Sequence, residues 1–235
     1  MSFRKYESRN EAGRILVDFI ENNQPEMLSK MKNTLADFFC FAIPNGGIPV
    51  AEGFCAETNI QYDMLIVRKI KIPYNPEAGF GSITTDGTVL INEPLLERLN
   101  LSKDEINKSI ELTKSEIRER LEFYNKPKDL SEQYQNQIQK KQIILIDDGL
   151  ASGFTMLAAI KMIKKYSPAK IYIAVPTAPQ RTVVRIKSEV AQIFCPNIKR
   201  VMRFSVASAY KNWYDVSKSE VLEIITNSEH YINDI

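Results

Sequence analysis

Cysteine and histidine are scarce in this sequence of 235 residues. It contains three cysteines, Cys40, Cys55 and Cys195, and a single histidine, His230. The cysteines are odd in number, widely spaced and without a CxxC pair, which argues against a Cys/His zinc site. Cys40 and Cys55 lie in apolar runs, so we predict that both are reduced core residues. His230 lies in a polar tail and is predicted to be a surface residue rather than a catalytic one.

A basic excess and long apolar runs are also absent. The 31 basic and 29 acidic residues leave a net charge of +2, whereas proteins that bind nucleic acids usually show a strong basic excess. The start of the chain has no apolar segment of the kind found in secretory signals, and no stretch has the length of a membrane span. We therefore predict a cytoplasmic protein without a membrane or nucleic-acid partner.

What is present is an alternation of apolar strands and amphipathic helices. Apolar runs predict strands at 37–44, 62–70, 88–92, 142–147, 169–179 and 191–196. Helical spacing and capping residues predict helices at 9–21, 49–58, 101–125, 154–166, 182–190 and 218–226. This alternation predicts an α/β fold with a doubly wound, mainly parallel five-stranded sheet. We expect residues 1–235 to form one domain with its core at about 35–200.

Two segments interrupt this alternation. The helix at 101–125 is long and highly charged, and Ser102 with Glu105 forms a capping box at its start. It is predicted to be an insertion with one solvated side. Residues 73–88 contain several proline and glycine residues, which predict a loop.

Two adjacent carboxylates, Asp147 and Asp148, end a predicted strand in the sequence IILIDDGLASGFT, residues 143–155. The phosphate loop that follows them consists of Gly149, Leu150, Ala151, Ser152, Gly153, Phe154 and Thr155. Ligands of α/β sheets bind at the carboxyl ends of strands, and a glycine-containing turn before a helix offers N–H groups and partial positive charge to a phosphate. Carboxylates would repel such an anion. The conflict disappears for a ribose 5-phosphate, whose hydroxyls donate to the carboxylates while its phosphate occupies the loop.

The alternative for this segment is an acidic strand end that binds a metal ion or caps a helix, as in receiver-type domains. An acidic pocket alone would leave the phosphate-type loop unexplained. A Walker-type P-loop is excluded, because the pattern G-x-x-x-x-G-K-[ST] is missing.

Residues 143–155 resemble the phosphoribosyl diphosphate (PRPP) signature of type I phosphoribosyltransferases. Gly149 departs from that signature, since many members have an aliphatic residue there. Further segments, among them IPNGGIPVAEGFCAE, LIVRKIKIPYNPEAGFGSI and WYDVSKSEV, extend the resemblance over residues 8–225 to a branch of unassigned substrate. The resemblance implies the type I fold with a small hood, PRPP and a small-molecule acceptor as ligands, Mg²⁺ as cofactor, and a homodimer.

The resemblance also implies roles for residues outside this segment. Asn45, Gly46 and Gly47 would bind the pyrophosphate of PRPP, although related proteins often have an arginine where this chain has Asn45. Arg68 and Lys69 would act as catalytic residues that neutralise the departing pyrophosphate. The loop that follows them would close over the reaction as a lid. The alternatives are an ordinary strand-to-helix turn and solvated surface charge.

The acceptor is the part that the sequence determines least. Members that act on 6-oxopurines usually have an aspartate where this chain has Ala151, so the resemblance disfavours hypoxanthine and guanine. The hood would consist of the N-terminal residues and residues 203–217, in which Phe204, Tyr210 and Trp213 are candidates for contact with a flat acceptor. The alternative is that these aromatic residues pack the C-terminal segment against the core.

The sequence thus predicts a transferase that moves a 5-phosphoribosyl group from PRPP to a nitrogenous acceptor and releases pyrophosphate. Mg²⁺ would be held mainly by PRPP, with Asp147 and Asp148 assisting. Two alternatives stay open. One is a PRPP- or nucleotide-sensing regulator without turnover, and the other is a ribose-phosphate-dependent hydrolase or phosphorylase on the same fold.

Overall fold

A computed structural model describes residues 4–232 of the chain. Its helices are α1 (Arg9–Asn23), α2 (Pro25–Asn33), α3 (Gly47–Thr58), α4 (Glu93–Leu99), α5 (Lys103–Phe123), α6 (Ser131–Ile138), α7 (Phe154–Lys165), α8 (Gln180–Ile186) and α9 (Lys218–Asn227). Its strands are β1 (Phe38–Ala42), β2 (Tyr62–Met64), β3 (Val67–Ile72), β4 (Asn75–Thr84), β5 (Val89–Ile91), β6 (Gln142–Ile146), β7 (Lys170–Ala174), β8 (Thr177–Pro179), β9 (Gln192–Phe194) and β10 (Asn197–Lys199). The predicted α/β alternation is confirmed, and α2, α4 and α6 are additions to it.

The central sheet has five parallel strands in the order β2-β1-β6-β7-β9. This confirms the predicted five-stranded sheet. All residues of β1 and β6 are buried, which explains why both strands read as continuous apolar runs. Chain order proceeds from β1 to β2 on one side and from β6 through β7 to β9 on the other. The reversal between β1 and β6 is a topological switch point, where ligands of such sheets bind.

The prediction of a loop at residues 73–88 was wrong. β3, β4 and β5 form a separate antiparallel sheet there, and β3 and β4 form a hairpin that turns between Ile72 and Asn75. The glycines of β4 mark close approaches. A Cβ added to Gly79 would lie 2.1 Å from the side chain of Lys69, and one on Gly81 would lie 2.6 Å from the carbonyl oxygen of Leu90.

Two predicted strands are divided in the structure. The predicted strand 62–70 splits into β2 and β3, so the chain leaves the central sheet after β2. The predicted strand 169–179 splits into β7 and β8, and β8 pairs with β10 in a small parallel sheet. After these breaks the chain leaves the central sheet, with β3 and β8 each belonging to another sheet.

The inserted helix α5 packs against β3. Its predicted capping box is confirmed, since Ser102 Oγ accepts from the N–H of Glu105 at 3.3 Å and the Glu105 carboxylate accepts from the N–H of Ser102 at 2.9 Å. The buried residues of α5 are spaced four apart and comprise Ser109, Thr113, Ile117 and Leu121. This stripe fixes which residues of the helix face the core.

The buried apolar residues form a main cluster and a smaller cluster at the hood. The main cluster spans the central sheet and its helices, and it includes Cys40 and Cys55 as free buried thiols, as predicted. A smaller cluster joins the two parts of the hood and comprises Tyr6, Ala12, Ala209 and Tyr210. The N–H of Tyr6 donates to the carbonyl of Ala209 at 2.9 Å, which ties the N-terminal residues to the C-terminal part of the hood.

Candidate active site

The candidate active site lies where the loops after β1 and β6 meet. Ala42 and Ile146 are register partners, so the residues that follow them emerge side by side. A Cβ added to Gly46 would lie 1.9 Å from Oδ2 of Asp148, and one on Gly47 would lie 2.9 Å from the carbonyl oxygen of Ile146. Only glycine allows the loops to pack this closely. The structure therefore brings the predicted pyrophosphate loop against the predicted ribose-binding carboxylates.

The acidic pair, Asp147 and Asp148, is electrostatically unfavourable without a ligand. The N–H of Asp148 donates to Oδ1 of Asp147 at 2.8 Å. Burial raises the pKa of Asp147 well above its ordinary value, and the charge of Asp148 raises it further. Burial also raises the pKa of Asp148, against the effect of its partner Arg9. Such a pair favours ligands that bring hydrogen-bond donors or positive charge.

Arg9 is a candidate site residue that no motif of the sequence indicates. Ser8 caps α1 by accepting from the N–H of Glu11 at 3.1 Å, which places Arg9 at the first helical position. Nε of Arg9 donates to Oδ2 of Asp148 at 2.9 Å, and only 6% of the Arg9 side chain is exposed. Its guanidinium carbon lies 4.1 Å from the ring centroid of Trp213, a cation–π contact. Arg9 therefore connects the acidic pair to the hood.

The phosphate loop is held by hydrogen bonds from α8. Oγ1 of Thr182 donates to the carbonyl of Ala151 at 2.7 Å, and Nη1 of Arg185 donates to the carbonyl of Ser152 at 3.1 Å. In a trans peptide the C=O and the following N–H point in opposite directions, so the N–H groups of Ser152 and Gly153 point away from these donors. Gly153, with φ of 81°, is the N-cap of α7. This geometry suits an anion at the helix N-terminus.

The hood explains why residue 149 is glycine. A Cβ added to Gly149 would lie 2.7 Å from Cγ1 of Val206 and 2.9 Å from Cγ2 of Thr177. Val206 begins the short 3₁₀ helix Val206–Ala209 of the hood. The aliphatic side chain expected at this position has no room, because the hood occupies its place.

Asn45 is held by two elements that are distant in sequence. Its Nδ2 donates to the carbonyl of Val216 at 2.6 Å, and its Oδ1 accepts from Nη1 of Arg120 on α5 at 2.8 Å. The N–H of Gly47 donates to the carbonyl of Ile43 at 3.0 Å, so this amide is used within the turn. The structure therefore places a guanidinium beside a loop whose own residues, Asn45–Gly47, include no cation.

Arg68 and Lys69 have different partners in this structure. Glu116 on α5 lies 3.3 Å from Nη2 of Arg68 and 2.7 Å from Nζ of Lys71. Nζ of Lys69 donates to the carbonyl of Glu77 at 2.6 Å within the hairpin. Arg68 is thus held at α5, while Lys69 is exposed and held by the hairpin itself.

Two of the three aromatic residues predicted for the acceptor contact Asp148 or its partner Arg9. The hydroxyl of Tyr210 donates to the backbone carbonyl of Asp148 at 2.7 Å, and the residue is buried. Burial raises the pKa of Tyr210, and the charge of Asp148 adds to this effect. Trp213 contacts Arg9 and is 38% exposed. Phe204 is half-buried just before the 3₁₀ helix. Trp213 therefore offers accessible ring surface, while Tyr210 supports the backbone of the acidic pair.

Two features are absent from the part of the chain that the structure describes. Within residues 4–232, no group of three or more His, Cys, Asp and Glu side chains is arranged to hold a metal ion. Over the same range, no helix combines the length and the apolar character needed to cross a bilayer. His230 is half-buried, and its carbonyl accepts from the N–H of Tyr62 at 2.9 Å, so its backbone attaches the C-terminal segment to β2.

Arg9 and Arg120 were missed because their partners are far away in sequence. Arg9 is 139 positions from Asp148, and Arg120 is 75 positions from Asn45. The local signals were a capped helix start before Arg9 and a charged face on α5. Neither signal indicates which residue the arginine contacts, because both patterns are equally typical of solvated helices.

Comparison with known proteins gives concordant results. The family model described as "Phosphoribosyl transferase domain" matches residues 29–209. Relatives from Mycobacterium tuberculosis strains CDC 1551 / Oshkosh and H37Rv, each named "Putative phosphoribosyl transferase", are 26% identical over 183 residues. The match covers 78% of this chain and 40% of those proteins, so the chain spans less than half the length of these curated relatives.

A solved structure shows the same fold. The protein TT1426 from Thermus thermophilus has a TM-score of 0.70 and 22% sequence identity, with 94% of this chain and 97% of that chain covered. At this identity the likeness concerns the fold alone. The family model, in contrast, spans more than half of the sequence and includes both the acidic pair and the phosphate loop. The chain therefore belongs to the phosphoribosyl transferase domain family.

Proposed function

We propose that this protein transfers a 5-phosphoribosyl group from PRPP to a nitrogenous acceptor and releases pyrophosphate. The observation that carries the proposal is the packing of Gly46 against Asp148 beside the phosphate loop, at the switch point of the sheet. Carboxylates accept from hydroxyls, and a helix N-terminus binds a phosphate. A ribose 5-phosphate presents both groups. Family membership supports the transferase class.

The acidic pair is proposed to bind the ribose hydroxyls. Oδ1 of Asp147 accepts from the N–H of Asp148, and Oδ2 of Asp148 accepts from Arg9. We therefore assign the second oxygen of each carboxylate to the ligand. Because the pair is only partly exposed, a hydroxyl donor stabilises it more than it would stabilise a fully exposed carboxylate.

Mg²⁺ fits the same carboxylates. It prefers oxygen ligands, and it usually binds through one or two carboxylates together with substrate phosphates and waters. Burial and mutual repulsion oppose the ionised form of Asp147, and a cation would offset both effects. Asp147 and Asp148 would assist a metal ion held mainly by PRPP. The ion would supply charge stabilisation for the departing pyrophosphate.

The pyrophosphate is proposed to lie against Asn45, Gly46, Gly47 and Arg68. The tip of the β3–β4 hairpin is exposed, with 66% of Tyr74 accessible. Closure of this hairpin as a lid would move Lys69 toward the pyrophosphate and exclude water from an oxocarbenium-like sugar.

The acceptor is proposed to enter beneath the hood. Trp213 supplies accessible ring surface next to Arg9, Tyr210 supports the backbone of Asp148, and Phe204 is proposed as a further contact of the acceptor. Ala151 brings no acidic group, so we expect acceptors other than 6-oxopurines.

A PRPP-sensing protein without turnover is the second candidate function. The observation that favours it is the buried Arg9, which lies between Asp148 and Trp213. An acceptor needs a path to the sugar past this side chain, whereas a sensor does not.

The test combines PRPP binding with product analysis. PRPP is titrated into the protein by calorimetry in the presence of Mg²⁺. Pyrophosphate release from PRPP is then measured with a panel of nitrogenous acceptors. Release that depends on one acceptor supports transfer, whereas release without an acceptor indicates hydrolysis and binding without release indicates a sensor. Asp148→Asn should abolish PRPP binding, and Asp18→Asn, an exposed position on α1, should not change it. Failure of the wild-type protein to bind PRPP would overturn the site assignment.

A further inference from the structure

The inserted helix α5 reaches the candidate active site through one side chain. Nη1 of Arg120 donates to Oδ1 of Asn45 at 2.8 Å, while Nδ2 of Asn45 donates to the carbonyl of Val216 at 2.6 Å. The amide of Asn45 thus acts as acceptor on one side and donor on the other, which a lysine or arginine at this position would not do. Asn45 therefore fixes the position of the Arg120 guanidinium.

Positive charge is concentrated around this contact. Arg68 and Lys71 pair with Glu116, one helical turn before Arg120 on α5. Arg68 and Lys71 thus share one carboxylate, while the hydrogen bond from Arg120 goes to the neutral amide of Asn45. Burial lowers the pKa of Arg120, and the charge of Arg68 lowers it further. Two guanidinium groups held close together and half-buried form a site that an anion would stabilise.

We propose that Arg120 binds the pyrophosphate group of PRPP and supplies the cation that the loop at Asn45 lacks. Asn45 takes one of the five N–H donors of the guanidinium and Tyr124 lies beside it, which leaves further donors for phosphate oxygens. Gly46, the next residue of the loop, packs against Asp148, so one short turn contacts both Arg120 and the carboxylate of Asp148. This inference rests on the proposed function, and it makes α5 a part of the binding site.

The experiment measures three ligands on four proteins by calorimetry in the presence of Mg²⁺. The ligands are inorganic pyrophosphate, ribose 5-phosphate and PRPP. The proteins are the wild type, Arg120→Gln, Arg120→Lys and the control Arg118→Gln, which changes an exposed arginine on the same helix. Thermal unfolding of each variant verifies that it is folded.

Arg120→Gln should weaken the binding of pyrophosphate and PRPP by about tenfold or more, because a charge-assisted hydrogen-bonded contact is lost. Its affinity for ribose 5-phosphate should stay within about twofold of the wild type, since that ligand does not reach Arg120. Arg120→Lys should give an intermediate loss, because the charge remains while the planar fork is lost. If Arg120→Gln does not fold, the same comparison is made with Arg120→Lys.

Two failures are distinguishable. If the wild type binds PRPP and Arg120→Gln binds pyrophosphate equally well, the role of Arg120 is refuted and the proposed function stands. An equal loss for ribose 5-phosphate would also refute it, because that result indicates general disruption of the site. If the wild type binds neither PRPP nor pyrophosphate, both proposals fall.

Discussion

Replacing Arg9 by methionine should destabilise the folded protein strongly. Arg9 is 6% exposed and forms a 2.9 Å ion pair with Asp148, whose side chain is 15% exposed. Methionine retains much of the apolar stem but leaves the carboxylate of Asp148 buried without its cation, beside Asp147. The free energy of unfolding should therefore fall chiefly because a charge is left unpaired.

The magnitude follows from the burial of the pair. Removal of one partner from a buried ion pair costs about 3–5 kcal/mol. The cation–π contact with Trp213 contributes about 1 kcal/mol. The methionine would form a Met–aromatic contact of similar strength with Trp213, so these two contributions cancel. The expected loss is therefore about 3 kcal/mol, which for a chain of this length lowers Tm by roughly 6–12 °C. Arg14→Met is the matched control, since Arg14 forms an exposed 3.8 Å pair with Glu57 that contributes about 0–1 kcal/mol.

The loss should depend on pH. The folded-state pKa of Asp148 is already raised by burial, and Arg9 acts to lower it. A carboxyl with a raised pKa contributes stability below its unfolded pKa, and this contribution disappears as the pH rises through the folded pKa. Removal of Arg9 raises the pKa of Asp148 further. The deficit of Arg9→Met should therefore be small in mild acid and larger at pH values well above the folded pKa.

Urea unfolding of the wild type, Arg9→Met, Asp148→Asn and the double variant at two pH values gives the measurement. In the double variant neither charge is left unpaired, so it should be more stable than Arg9→Met at the higher pH, with a coupling energy of about 2 kcal/mol. A loss below about 1 kcal/mol, or a deficit that is the same at both pH values, would refute this reasoning.

Three further changes have defined outcomes. Asp147→Asn should raise Tm at neutral pH, because burial raises the pKa of this carboxyl and so disfavours its ionised form, while asparagine keeps an oxygen for the N–H of Asp148. The same change should weaken PRPP binding. A lower Tm in thermal unfolding would contradict this reasoning. Lys126→Met should lower the free energy of unfolding in urea by about 3–5 kcal/mol, because Lys126 and Asp63 form a 2.8 Å ion pair whose side chains are 5% and 2% exposed. An unchanged midpoint of urea unfolding would exclude a stabilising role for this pair. Ser102→Ala should lower the free energy of unfolding by about 1 kcal/mol, because the N-cap of α5 is lost. An unchanged free energy of unfolding would show that α5 is stabilised by packing alone.

Features that depend on neighbouring residues were predictable from the sequence. The phosphate loop was recognisable because strand, carboxylates, small residues and helix follow one another within 143–155. The cap at Ser102 was predicted correctly, since capping requires only residues three positions apart, and Ser217 caps α9 with the same spacing. Local signals for two missed helices were also present, namely Pro25 at the start of α2 and Asn92 before α4.

The β3–β4 hairpin shows where local interpretation failed. Proline and glycine within 73–88 are typical of loops, and they predicted one. Antiparallel pairing with β3 and β5 overrides this preference, and the glycines are needed where the side chain of Lys69 and the carbonyl of Leu90 approach β4. Strand propensity depends on cross-strand neighbours, which a single segment does not reveal.

The sequence by itself determined the α/β class, the parallel sheet and the position of the acidic pair beside the phosphate loop, because each rests on periodicity or on contiguous residues. The tertiary structure alone decided which charges meet there. Arg9 reaches Asp148 and Arg120 reaches Asn45 only because the fold brings the first turn of α1 and the last turn of α5 to the switch point. Contacts across such sequence separations leave no local pattern, since a buried guanidinium and a solvated one have the same neighbours in sequence.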